Sequence, residues 1–233
     1  MSARFVTGVL LVVYLVLLNV PYVHLMNIFE YDDVLREPAA VVLTRFAEGG
    51  TELVLTWFAF GVGALAFIPL AFAIRRSLAS GDGHLLQSTV VFGSLSAFAQ
   101  GVGLLRWVFV ITPLATMFVD PTTSPSKREA ILVVYDSVHH FGGLLLGEFL
   151  GQVLLACWTL GIALALWKRA GFAKLLSVTG AGIALLWIVA QLENLSAILP
   201  GLHVPEMVPI AFIGWQVWLL ALGVYFIVTG SDD

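Results

Sequence analysis

The sequence predicts an all-α fold, a polytopic membrane helical bundle of about six transmembrane helices plus a short amphipathic interfacial helix. Three observations predict it. Only 11% of the 233 residues are charged and 60% are hydrophobic, against about 25% charged in an ordinary soluble domain. The apolar residues fall in blocks long enough to cross a bilayer, which takes about 20 residues. They do not alternate as strands do, which selects helices over an outer-membrane barrel.

The blocks define one transmembrane domain, 1–233, with spans at about 5–29, 52–74, 86–112, 141–167, 172–192 and 208–228. Arg4 ahead of the first block resembles the start of a signal peptide. The apolar run continues to Phe29 without a small-x-small cleavage site, so it reads as a retained helix. Breaks rich in Gly, Pro and Ser separate most of the blocks: Glu48-Gly49-Gly50, Ser80-Gly81-Asp82-Gly83, Pro121 to Pro125, and Pro200-Gly201. The third block exceeds a straight span, and Pro113 is expected to end or bend it.

Two stretches outside the spans also read as helical. After Pro38, the residues Ala39, Val42, Leu43 and Phe46 recur on one stripe, with Arg45 and Glu48 on the other side. This is the expected interfacial helix. Ile131, Val134, Tyr135 and Val138 repeat the pattern over 127–138, which is expected to run into the fourth span.

Basic residues set the expected orientation. Arg4, Arg75, Arg76, Lys168, Arg169 and Lys174 lie on one side, and Arg36, Arg45, Lys127 and Arg128 on the other. The positive-inside rule then places both termini in the cytoplasm of a cell whose plasma membrane holds the chain. The net charge of −4 argues against a nucleic-acid partner. The single cysteine, Cys157, excludes an intrachain disulfide and any multi-cysteine metal site.

An ionisable group within a span needs a partner or a purpose, since placing one at mid-membrane costs about 2.5–3.5 kcal/mol on insertion scales. Arg106, Glu148 and Glu193 are such groups. With the orientation above they share the outer half of the membrane with His24, Gln191 and the stripe His140, Leu144, Glu148, Gln152. Arg106, His140, Glu148, Gln152, His24, Gln191 and Glu193 are therefore the expected ligand-binding residues. No metal is assigned to them, and the cofactor content is left unknown. At 100° per residue, His139 points about 180° away from Glu148, nearer Tyr135 and Asp136. Gly143, Gly147 and Gly151 form a small-xxx-small ridge, which is expected to face another helix.

Each residue also has a plainer role. Arg106 can reach the surface or pair structurally with Glu148. His24 and His203 suit the interface, and the glycine ridge suits packing alone. Adjacent histidines at 139 and 140 diverge on a helix, whereas a helical chelate prefers i, i+4. Nucleotide-binding loops, a nucleophile elbow, an aspartate-rich diphosphate motif, histidine runs and regularly spaced arginines are all lacking.

Leu35-Arg36-Glu37-Pro38-Ala39-Ala40 with Arg45-Phe46, Gly103-Leu104-Leu105-Arg106-Trp107, and His139-His140-Phe141-Gly142-Gly143 with Leu146-Gly147-Glu148 and Gly151 carry a resemblance. They resemble an uncharacterised family of prokaryotic multi-pass membrane proteins described as a domain of unknown function. The resemblance implies a helical membrane protein and supplies no activity, ligand or catalytic residue.

Three functional classes follow from the residues. One is a protein that binds or transports a small molecule or lipid in an outer-leaflet polar pocket. Another is an accessory or structural subunit of a larger membrane complex, or a homo-oligomer. The third is a membrane-embedded enzyme using Glu148 or a histidine as acid/base or metal ligand, and whether the chain is an enzyme stays open. In every class the lipid bilayer is the first partner.

Overall fold

In lipid, each backbone N–H and C=O must be satisfied within its own segment, so the long apolar blocks fold as helices. The computed structural model describes residues 2–31, 33–78, 83–196, 198–199, 201–202 and 204–231, which are helical almost throughout and contain no strand. The break at Ser80 to Asp82, Pro200 and His203 lie outside the described residues.

In order, the helices are α1 (Ala3–Phe29), α2 (Ala39–Leu65), α3 (Phe67–Ser77), α4 (Gly83–Arg106), α5 (Thr112–Val119), α6 (Pro125–Val138), α7 (Gly151–Leu166), α8 (Phe172–Ser196) and α9 (Val208–Ser231). A 3-10 turn covers Asp33–Arg36, and π-helical segments cover Trp107–Ile111 and His139–Leu150. Six stretches are long and apolar enough to cross a membrane: Ala3–Phe29, Ala39–Ser77, Gly83–Val119, Pro125–Leu166, Phe172–Ser196 and Val208–Ser231. The chain is a multi-pass membrane protein.

Local sequence explains where the long helices change character. Pro113 cannot donate to the carbonyl four residues back, and its ring crowds that carbonyl. The turn before it, Trp107–Ile111, widens into π geometry, and the Thr112 hydroxyl donates to Trp107 O at 3.0 Å. α2 is interrupted at Gly50, whose φ of 56° and ψ of −149° lie outside helical space. Only glycine adopts that region readily. The stretch from Ala39 to Gly49 is the amphipathic element, burying Val42, Leu43 and Phe46 while Glu48 is exposed. α6 begins on a Ser124 side-chain cap with Pro125 next, and it runs straight into the segment His139–Leu150.

The chain forms two compact units. The first comprises Met1–Val16, Ala66–Ala99 and Phe149–Asp233. Here α7 packs on α8 and α8 on α9. Lipid gives helices no hydrophobic reason to associate, so small residues and interhelical hydrogen bonds must hold them. A β-carbon at Gly8 would meet Gly223 O at 2.6 Å, and one at Gly180 would meet the Trp218 ring at 2.9 Å. Trp218 Nε1 donates to Leu176 O at 2.8 Å, and Ser177 Oγ donates to Ala163 O at 2.6 Å.

The second unit comprises Leu17–Leu65 and Gln100–Glu148, with α2 against α5. Its core is aromatic. Trp57 and Trp107 stack with centroids 4.8 Å apart, Phe46 stacks on the same Trp107 at 5.4 Å, and Phe29 meets it edge-on at 5.5 Å.

Candidate functional site

Arg106 is the last residue of α4, immediately before the π turn Trp107–Ile111. Gly103 precedes it by three residues and lies directly against Gly147, so that a β-carbon at Gly103 would stand 2.7 Å from Gly147 Cα. That close approach brings the arginine across the neighbouring segment. A β-carbon at Gly143 would stand 2.6 Å from Arg106 Nη2 and 2.9 Å from Cζ, and one at Gly142 would stand 3.3 Å from Cδ. The glycine ridge is therefore a seat for the guanidinium as well as a helix contact. Ridge residue Gly151 belongs to the first unit, where its carbonyl accepts from Ser96 Oγ at 2.7 Å.

The guanidinium is only partly served. Nη1 donates to Gly103 O, and Cζ lies 5.3 Å from the Trp107 ring centroid, a cation–π contact. Nε is fully buried and has no hydrogen-bond partner among the described residues. Glu148, Tyr31 and Tyr135 lie within electrostatic reach of the cation, as does His139. The His139 ring stacks on Tyr135, with centroids 5.8 Å apart and planes 10° from parallel. Its Nδ1 is likewise buried with no hydrogen-bond partner among the described residues.

His139 lies against Tyr135, the neighbour that the helical period gives it, and its reach to Arg106 is what the sequence reading lacked. In the segment His139–Leu150 the hydrogen bonds are π-type, and each residue then advances about 80–85° in place of 100°. No composition signal marks a π-helix in advance. A spacing signal did exist for Gly143. In an antiparallel pair fixed at Gly103 and Gly147, stepping three residues on and four residues back brings Arg106 level with Gly143.

The remaining expected residues have their own partners. His140 is exposed, and its Nδ1 lies 2.7 Å from Asp136 O, to which it donates. His24 Nε2 is hydrogen-bonded to Glu52 Oε1 at 2.9 Å. Both belong to the second unit, as do Arg106 and Glu148. Gln152, Gln191 and Glu193 belong to the first unit. There Gln191 Nε2 donates to Gln152 Oε1 at 2.9 Å and to Trp187 O at 3.0 Å, while Asn194 Nδ2 donates to Gln191 Oε1 at 3.1 Å. Glu193 Oε2 accepts the backbone N–H groups of Met207 and Val208 at 2.9 and 3.0 Å. A carboxylate at that position caps the positive end of α9.

The arrangement in the second unit can offer N–H donors from Arg106 and His139 to a group with acceptors, beside an aromatic wall. Among the described residues no group of three or more His, Cys, Asp or Glu side chains is placed to hold a metal ion.

The chain belongs to the family described as Domain of unknown function (DUF4386), whose model matches residues 6–230. No curated protein and no solved structure matches it.

Proposed function

We propose that this member of the family binds, or carries, a small molecule or the headgroup of a lipid at Arg106, within the outer half of the membrane. One observation carries the reading. An arginine in a membrane span is seated on glycines between two π-helical segments, with its Nε buried and unpartnered among the described residues. A buried donor left unmade costs about 1–3 kcal/mol, and more on a charged group. A ligand acceptor removes that cost. π-helical turns recur at functional sites, where they aim side chains that an α-turn would misdirect. Glu148, His139, Tyr135 and Tyr31 complete the surroundings.

The basic residues favour a plasma-membrane protein with both termini in the cytoplasm. Single cysteines introduced at Ala170 and at Ser126 in a Cys157→Ser background test this orientation. A membrane-impermeant maleimide added to intact cells should label position 126 and spare position 170. The reverse pattern overturns the orientation.

The binding reading is tested by native mass spectrometry of protein extracted in mild detergent. The unsubstituted chain should retain a non-protein adduct that Arg106→Lys loses, while the lipid-facing change Leu150→Phe keeps it. Identical spectra for all three proteins overturn the reading.

A further inference from the structure

The charge balance around Arg106 restricts what the site can take. The guanidinium is one positive charge and the Glu148 carboxylate one negative charge within its reach, so the pair is neutral as it stands. Tyr31, Tyr135 and a stacked, half-buried imidazole add hydrogen-bonding groups without adding charge. An anionic ligand would compete with Glu148 for the same cation and leave a net negative charge in a low-dielectric setting, which lipid penalises. A neutral acceptor makes no such demand. It accepts from Arg106 Nε–H, a donor only, and from the His139 ring nitrogen when that carries its proton, both buried and unpartnered among the described residues. Trp107 stands beside the guanidinium, itself buried against Phe46 and Trp57, so the surroundings of the acceptor are apolar.

We infer that the ligand at Arg106 is an uncharged, carbonyl-bearing amphiphile, with the Arg106 Nε–H as its donor, and not a carboxylate or a phosphate. This rests on the reading of Arg106 as a ligand site. The carbonyl can belong to a quinone ring or to the ester of a neutral lipid, since both present the same acceptor on an apolar body.

The test is equilibrium binding to the full chain in phosphatidylcholine nanodiscs. Three probes are used: a short-chain benzoquinone, monoolein, and oleate kept ionised in alkaline buffer. For the unsubstituted protein, at least one neutral probe should bind about tenfold or more tightly than oleate. The stronger of the two neutral probes identifies the source of the carbonyl. Arg106→Lys keeps the positive charge and removes the planar Nε donor, and should weaken the neutral probe by about tenfold or more. Glu148→Gln leaves the cation uncompensated and should invert the preference, with oleate becoming the tighter ligand. Oleate binding to the unsubstituted protein at least as tightly as the neutral probes, but lost in Arg106→Lys, overturns the neutral assignment and leaves the site standing. An unchanged order of preference in Glu148→Gln overturns the charge-balance argument. If no probe responds to Arg106→Lys, the site itself is wrong.

Discussion

The guanidinium of Arg106 occupies the position that a side chain at residue 143 would take. A β-carbon built on Gly143 would stand 2.6 Å from Arg106 Nη2. The obstacle is the far end of a flexible side chain, so Gly143→Ala should fold with the arginine pushed off its seat. Its melting temperature should fall, and the fall should shrink when Arg106 is already Met. A double-mutant cycle measures this coupling, which should exceed the about 0.3–0.5 kcal/mol scatter seen for independent sites. Additive effects would mean that Arg106 does not lie over Gly143.

Arg106 and Glu148 should be coupled for a different reason. Removing one member of a buried charge pair costs about 3–5 kcal/mol, because the other is left alone. Arg106→Met and Glu148→Leu should each lower the melting temperature sharply. The double variant should recover much of the loss, because an apolar pair of similar volume is tolerated there. Losses that simply add would show that the two charges do not compensate each other.

Much of this was legible in the sequence, and the limit is physical. Six spans follow from hydropathy alone, and the stripe of Val42, Leu43 and Phe46 followed from the α-helical period. Arg106 and Glu148 stood out because lipid makes a charge conspicuous. The helical period also put His139 on the side of Tyr135, where the two rings stack, whereas its reach to Arg106 had no signal in the residues. Gln191 and Glu193 were grouped with Arg106 by depth alone, and Gln152 by the stripe it shares with Glu148. Depth says nothing about partners, and theirs are an amide chain and the start of α9.

Two glycine-to-alanine changes should differ clearly. At Gly103 a β-carbon would meet backbone, Gly147 Cα at 2.7 Å, which cannot step aside. At Gly182 nothing lies within 4 Å. Gly182→Ala should leave stability unchanged or raise it by about 0.5–1 kcal/mol, the usual gain in a helix interior. Gly103→Ala should lower the melting temperature clearly. Equal behaviour of the two in detergent would refute the close contact.

Gly50 tests backbone conformation without steric interference. A β-carbon there would meet nothing within 4 Å, yet φ is 56°. Gly50→Ala should therefore cost about 1–3 kcal/mol through dihedral strain alone. Straightening α2 relieves that strain, at the expense of the burial of Val42, Leu43 and Phe46. Limited proteolysis should find new cleavage between 39 and 49, and protection equal to that of the parent chain would count against the kink.

Glu193 should act as the cap of α9. Glu193→Ala removes the acceptor for two backbone donors and should cost about 1–3 kcal/mol. Glu193→Gln keeps an oxygen in place and should cost less. Hydrogen exchange at Met207 and Val208 should quicken in the alanine variant and leave the middle of α9 unaffected.

The wide helix from His139 to Leu150 also makes the chain sensitive to length. A π turn holds one residue more than the α turn it replaces, so the segment behaves as an insertion that the fold has absorbed. Deleting a single lipid-facing residue there, such as Leu145, lets the α-period return. It also rotates everything beyond by roughly one residue's worth of turn. Glu148 would then leave the side that holds Arg106, with no polar residue removed and the span still apolar. A reading frame that is correct for the membrane would be wrong for the site. In this protein the count of residues between His139 and Glu148 carries information that their identities do not.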